Sequence, residues 1–216
     1  MIKLRSMLKH LPNILTMGRF VLTVIFLFMV LWSPGISEQQ YSLFIDIAFV
    51  LFVVAGLTDM ADGPIARKLG VTSKFGRIVD PLADKVLVCG AFICFAIIGQ
   101  PKLFGLANPA LAIIQWGFAA VIIFREVYVT VLRHIAEARG INFAAVFSGK
   151  LKMFLQSFAI GTVLVKMAHV QTAPWGNWFT TAIYIATVVV TVVSGLRATQ
   201  RKSWRQVTEQ QSESAS

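Results

Sequence analysis

The chain has 216 residues, 56% of them hydrophobic and 14% charged, with 20 Lys and Arg against 10 Asp and Glu. Soluble domains carry about a quarter charged residues and roughly 45–50% apolar ones, so this composition excludes a water-soluble globule. The length suits a single domain.

In chain order, Leu4, Met7, Leu8 and Leu11 form an i, i+3, i+4, i+7 stripe, with Lys3, Arg5 and Lys9 mostly off it. This predicts a short amphipathic helix over residues 1–12, lying on the membrane surface. A cleaved signal peptide is the competing reading, but no clear small-x-small site follows the first apolar run. Trp32-Ser33-Pro34-Gly35 stands there instead, and Trp32 reads as an interfacial anchor. Apolar stretches then run at about residues 14–33, 42–61, 82–99, 108–124, 153–170 and 178–196. Several reach the roughly 18–20 residues needed to cross a bilayer. The expected fold is therefore all-α: a polytopic membrane protein with six transmembrane helices over residues 13–199, preceded by the interfacial helix. Residues 200–216 are polar and read as a disordered tail. Cys89 and Cys94 sit in an apolar stretch and read as small packing residues. Asp46, alone near the start of a span, receives no role, and His10, His134 and His169 stand isolated.

Six spans put fifteen cations, from Lys3 to Arg205 and including Arg67, Arg133, Lys150 and Lys152, on one side of the membrane, against Lys102 and Lys166 on the other. The positive-inside rule makes the crowded side cytoplasmic, with both termini and the acidic cluster described next. The net charge of +10 thus rings membrane segments. Anionic headgroups and anionic substrates explain it better than nucleic acid does.

Asp59, Asp62, Asp80 and Asp84 lie in one short window beside apolar stretches. A carboxylate near lipid is costly and marks function by default. On a helix, Asp59, Asp62, Gly63, Ala66 and Arg67 fall at i, i+3, i+4, i+7 and i+8, one stripe. Ser73, Gly76, Asp80 and Asp84 fall at i, i+3, i+7 and i+11, a second stripe. Packed stripe to stripe, the four carboxylates converge and repel, unless a pair of divalent cations joins them. Oxygen-only ligands point to Mg²⁺ or Mn²⁺ rather than zinc. Gly63 and Gly76 leave room for something bulky against the backbone, and Arg67 offers a planar fork for phosphate.

The pattern D-x2-D-G-x2-A-R-x8-G-x3-D-x3-D, matched at Asp59, Asp62, Gly63, Ala66, Arg67, Gly76, Asp80 and Asp84, resembles the signature of the CDP-alcohol phosphatidyltransferase family. The resemblance implies an integral membrane enzyme of six transmembrane helices, usually a homodimer in a bacterial inner membrane. It would attack CDP-diacylglycerol with an alcohol and release CMP. It implies that Asp59, Asp62 and Asp80 are the main ligands of two metal ions. Asp84 would touch metal while taking the proton of the acceptor hydroxyl, and Gly63, Arg67, Ser73 and Gly76 would hold the nucleotide and its phosphates. Asn13, Thr16 and Arg19 resemble the family's N-terminal segment beside the nucleotide, with helix capping and a snorkelling arginine as the competing reading.

Arg125-Glu126 with Arg133, followed by Gly149-Lys150-Leu151-Lys152, resembles in particular the members that make phosphatidylglycerophosphate. Arg125 and Arg133 lie near one helical face, and Lys150 or Lys152 would join them around a phosphate monoester, sn-glycerol 3-phosphate. Glu126 points to another face, an imperfect partner for Arg125. Positive-inside snorkelling is the rival explanation of these cations. Serine, an inositol phosphate or phosphatidylglycerol as acceptor would use the same core. A divalent-cation transporter is the alternative of another class, but its site would lie near the midplane, and Arg67 would oppose cation passage. An inactive scaffold is at odds with the intact signature.

Overall fold

Each long apolar run becomes a helix. α1 spans Ile2–Trp32, α2 Glu38–Leu69, α3 Lys74–Ile97, α4 Asn108–Ala138, α5 Phe147–His169 and α6 Pro174–Thr199, with a 3₁₀ turn at Ser33–Gly35. The computed structural model describes the backbone of residues 2–69, 74–138 and 147–199, and the side chains of residues 16–58, 83–136, 138, 149 and 151–199. Among the described residues there is no strand.

Local chemistry ends the helices. Ser33 closes α1 by donating its hydroxyl to the Val30 carbonyl at 2.8 Å, and Pro34 removes the next donor. α3 ends in a Schellman turn: the Gln100 amide bonds the Phe95 carbonyl and the Gly99 amide bonds that of Ala96. That turn needs a left-handed residue after the helix, and Gly99 supplies it at φ 68°. α4 opens on Asn108-Pro109 and α6 on Pro174, using proline where the helix has no amide to satisfy.

Five helices are long and apolar enough to cross a membrane among the described residues: Thr16–Gly35, Glu38–Thr58, Asn108–Ala136, Leu151–His169 and Pro174–Thr199. Their outer faces carry large apolar side chains, with Ile113 74% and Phe124 72% exposed. A soluble protein does not show so much apolar surface, and a bilayer accounts for it. The protein is an integral membrane protein. α3 is the sixth helix and is not among those five segments. The predicted surface helix over residues 1–12 is not an element of its own, because α1 runs unbroken from Ile2. Pro12 removes a single backbone donor, a loss that one long helix absorbs.

The helices close a ring in the order α1, α2, α5, α6, α4, α3, and α3 also touches α5 across it. α3 therefore has α1, α4 and α5 as neighbours, and α5 likewise has three, α2, α6 and α3. Its residues Leu87, Ala91, Phe92 and Phe95 enter the core with Phe26, Phe52, Phe118, Ile160 and Tyr184. Phe92 meets Phe118 edge-on at 4.9 Å, and Phe118 stacks on Tyr184 at 4.0 Å. α6 buries Gly176, Thr180, Tyr184, Thr187, Thr191, Ser194, Gly195 and Ala198. Lipid offers no hydrophobic drive for helix association, so close approach at small residues takes its place. Thr180 and Thr187 satisfy their hydroxyls on their own helix, bonding the Gly176 and Ile183 carbonyls.

α1 and α3 approach closely at Gly90, where an added Cβ would lie 2.8 Å from Leu27 Cδ1. Gly90→Leu should destabilise the bundle by about 1–3 kcal/mol through overpacking. Gly117→Ala, whose Cβ meets nothing within 4 Å, should gain up to ~1 kcal/mol from helix propensity. Thermal unfolding in detergent checks both, and a Gly90→Leu variant as stable as the parent contradicts the close approach.

Candidate active site

Among the described residues of α2, Glu38–Thr58 is apolar enough to cross a membrane, and the helix continues to Leu69. These 21 residues rise about 32 Å at 1.5 Å each, enough for the hydrocarbon core. The backbone of the same helix carries Asp59, Asp62, Gly63 and Arg67 beyond them. α3 starts at Lys74 and carries Gly76, Asp80 and Asp84 in its first three turns. Four residues separate the two helices, so both stripes sit at the same end of the bundle. Between the two, α1 packs against both α2 and α3. The side chains of Asn13, Asp59, Asp62, Gly63, Arg67, Gly76, Asp80 and Lys150 lie outside the described ones, as does Ser73 altogether. Among the described residues no three metal-ligating side chains gather, and Asp84 is the described member of the quartet.

Asp84 is partly buried. The charges that act on it come from across the bundle: Lys152 of α5, Arg19 of α1, Glu126 of α4 and its neighbour Lys85. Arg19 is 1% exposed, and Thr16 one turn earlier is buried with it. Thr16 and Arg19, the described members of the predicted strip, are thus turned inward, with the Arg19 charge acting on Asp84. A snorkelling arginine would reach outward to water.

Glu126 binds two cations with one oxygen. Its Oε1 accepts from Lys152 Nζ at 2.5 Å and from Arg125 Nη1 at 3.3 Å. Arg125 Nε donates to Ser194 Oγ at 3.2 Å, and Ser194 donates onward to the Thr191 carbonyl at 3.0 Å. Gln156, one turn past Lys152 and 1% exposed, faces the same carboxylate. α4, α5 and α6 are therefore tied by polar contacts at the level of Asp84. Burying an isolated ion costs several kcal/mol, and hydrogen-bonded pairing offsets it. The sequence places Glu126 on another face from Arg125, but the long arginine side chain folds back to reach it. The described charges here are four cations, Arg19, Lys85, Arg125 and Lys152, against the two carboxylates of Asp84 and Glu126.

Arg133 lies two turns further along α4, exposed, with its charge close enough to act on Arg125. Cys89 and Cys94 are both free thiols. Asp46 and His169 lie at the opposite end, where they pair at 2.9 Å. His169 is thus not isolated, and the pair links α2 to α5 away from the acidic window. The sequence reading missed Gln156, Ser194 and the bridging role of Glu126. Gln156 stands four residues from Lys152, a one-turn polar pair at the start of an apolar stretch, and this was a legible signal. Ser194 was hidden among the many hydroxyls of α6.

The four proposed ligands are all carboxylates, in two pairs at one-turn spacing and at one end of the bundle. That donor set fits a hard divalent cation.

If Glu126 holds Lys152 and Arg125 as drawn, removing either side of the pair strands a buried charge. Glu126→Ala and Lys152→Met should each cost about 3–5 kcal/mol. The double variant should lose less than the sum, by roughly 1–3 kcal/mol. A strictly additive cycle in detergent unfolding would show that the two side chains do not interact.

The family pattern of the CDP-alcohol phosphatidyltransferases matches residues 9–199. The chain is 31% identical over 195 residues to a probable phosphatidylglycerophosphate synthase of Mycobacterium tuberculosis, covering 89% of this chain and 81% of that one. It is 35% identical over 191 residues to a CDP-diacylglycerol–glycerol-3-phosphate 3-phosphatidyltransferase of Bacillus subtilis, covering 86% and 91%. A protein of the same name from Wigglesworthia glossinidia brevipalpis is 32% identical over 163 residues, covering 74% and 80%.

Proposed function

The chain belongs to the CDP-alcohol phosphatidyltransferase family, and we propose that it transfers the phosphatidyl group of CDP-diacylglycerol to sn-glycerol 3-phosphate, giving phosphatidylglycerophosphate and CMP. The relatives named for this reaction cover most of the chain. The observation that carries the choice of acceptor is the pair Arg125 and Lys152, brought from two helices onto Glu126 within electrostatic reach of Asp84. A phosphate monoester matches two such cations, whereas serine or phosphatidylglycerol brings no monoester dianion to them.

The acceptor hydroxyl oxygen attacks the phosphorus that bears the diacylglycerol. A new P–O bond forms there, the P–O bond to the CMP phosphate breaks, and CMP leaves with the bonding electron pair. Asp84 takes the hydroxyl proton; Glu126 is engaged by both cations, and Asp84 is the other described carboxylate on which the Lys152 charge acts. Arg67, Gly63, Gly76 and Ser73 hold the diphosphate and nucleotide from the ends of α2 and α3, and Asn13, Thr16 and Arg19 flank them from α1. Arg133 and Lys150 extend the acceptor side. Asp59, Asp62, Asp80 and Asp84 hold two ions, Mg²⁺ or Mn²⁺. Those ions, when bound, neutralise charge on the diphosphate and on the leaving CMP.

In this reading α3 is the sixth span. Its apolar stretch follows the acidic turns, from about residue 82 onward. The acidic end and both termini face the cytoplasm of a bacterial inner membrane, by the excess of Lys and Arg there. The first turns of α1 lie against the lipid surface. The homodimer is carried by the family resemblance.

An acceptor screen on purified protein, read as CMP release, tests the reaction. Glycerol 3-phosphate should be the preferred acceptor by ~10-fold or more, since a charge-assisted contact is worth about 1.5–3 kcal/mol. Preference for serine, an inositol phosphate or phosphatidylglycerol would reassign the acceptor, and no CMP release with any of them would refute the transferase reading. Asp84→Asn keeps the size and removes the base. Turnover should fall at least ~10²-fold, with CDP-diacylglycerol binding better preserved. EDTA should abolish activity of the parent, and Mg²⁺ or Mn²⁺ restore it. Near-normal turnover of Asp84→Asn would sink the base assignment.

A further inference from the structure

Glu126 has no part in the reaction above, yet it occupies the centre of the cationic cluster. Its single Oε1 takes one proton donor from Lys152 and one from Arg125. Ser194 takes the Arg125 Nε–H. A guanidinium has five N–H donors and an ammonium has three. Three N–H of Arg125 and two of Lys152 therefore carry no acceptor among the described residues. The two cations come from different helices, α4 and α5, and repel one another. A carboxylate between them is what lets both be buried, with Lys152 at 5% exposed.

We propose that Glu126 is a positioning residue for acceptor specificity: it clamps Arg125 and Lys152 together with their remaining donors free for the acceptor's phosphate. The proposal rests on the reading of Arg125 and Lys152 as the acceptor-phosphate site. Glu126 touches neither substrate. Its negative charge cancels one of the two positive charges, so the pair is tolerable in a membrane protein while one positive charge of the pair is left to attract an anion. Ser194 fixes the far edge of the guanidinium from α6, so Arg125 is held at two points and presents the rest of its fork. Without Glu126 the two cations separate, and the donors no longer converge on one phosphate. The loss should fall on acceptor affinity, because the diphosphate of CDP-diacylglycerol is held elsewhere.

The test is steady-state kinetics of the full-length protein with glycerol 3-phosphate and CDP-diacylglycerol, comparing the parent with Glu126→Gln, Glu126→Asp, Lys152→Met and Arg125→Ala. KM does not depend on the fraction of molecules folded, so partial loss of folded protein does not blur the outcome. Glu126→Gln should raise KM for glycerol 3-phosphate by ~10-fold or more, the size of one lost charge-assisted contact. KM for CDP-diacylglycerol should stay within about twofold, far below the effect of one such contact. Glu126→Asp, which keeps the charge on a shorter arm, should recover part of the acceptor KM. If Lys152→Met and Arg125→Ala raise the acceptor KM and Glu126→Gln does not, the positioning role is wrong while the acceptor site stands. If neither Lys152→Met nor Arg125→Ala changes it, the acceptor reading falls and the positioning role with it. Equal rises for both substrates in Glu126→Gln would overturn the proposal as well, since they mark a general disturbance of the bundle.

Discussion

A charge brought to the edge of hydrocarbon must find its opposite there. This constraint shapes the end of the bundle where the chemistry is proposed. α3 lies between α1, α4 and α5, and it carries the partly buried Asp84. Four other helices bring polar groups to that level: Arg19, Glu126, Lys152 and, behind Arg125, Ser194. The ring order of the helices makes this possible, because α3 and α5 meet across the middle. Rigid packing above, with Phe92, Phe118 and Tyr184 in ring contact, fixes the helices whose ends hold the site. Precise placement at the end of a helix needs an immobile stem, and the aromatic layer supplies it.

The chemistry was far more legible in the sequence than the packing. Asp59, Asp62, Asp80 and Asp84 stand out because acids are rare beside apolar runs, and helical spacing assigns each to a stripe without knowledge of any neighbour. The helices were legible for the same reason, since hydropathy needs only a window along the chain. What the sequence hid was contact across helices. Glu126 was judged against its own neighbour Arg125 and looked misplaced, yet Lys152, 26 residues away, is its closer partner. Pairing between helices depends on the ring order, which periodicity does not encode. The buried hydroxyl face of α6 was hidden differently: Thr and Ser are ambiguous in a membrane helix until one knows which face meets protein. The first turns of α1 were legible only in part, for a third reason. An amphipathic stripe predicts a surface, but not whether the chain breaks between that surface and the following span.

Two lysines show why burial alone does not mark a site. Lys152 and Lys166 lie on the same helix at 5% and 4% exposure. Lys166 spends its three donors on the Val170 and Gln171 carbonyls and on Asn177 Oδ1. Those carbonyls lie just past the end of α5, where a cation also favours the helix dipole. Its ammonium is saturated, so nothing is left to bind. Lys152 meets one carboxylate oxygen that it shares with Arg125, and donors of both cations remain open among the described residues. The same residue type, equally buried, thus staples a turn at one end of the helix and pairs with the Glu126 carboxylate at the other. The difference lies in the partners: neutral carbonyls complete the first, whereas a shared carboxylate leaves the second with net positive charge. In the proposed reading an anionic substrate completes it, with the phosphate of the acceptor at the end of the bundle where the acids are.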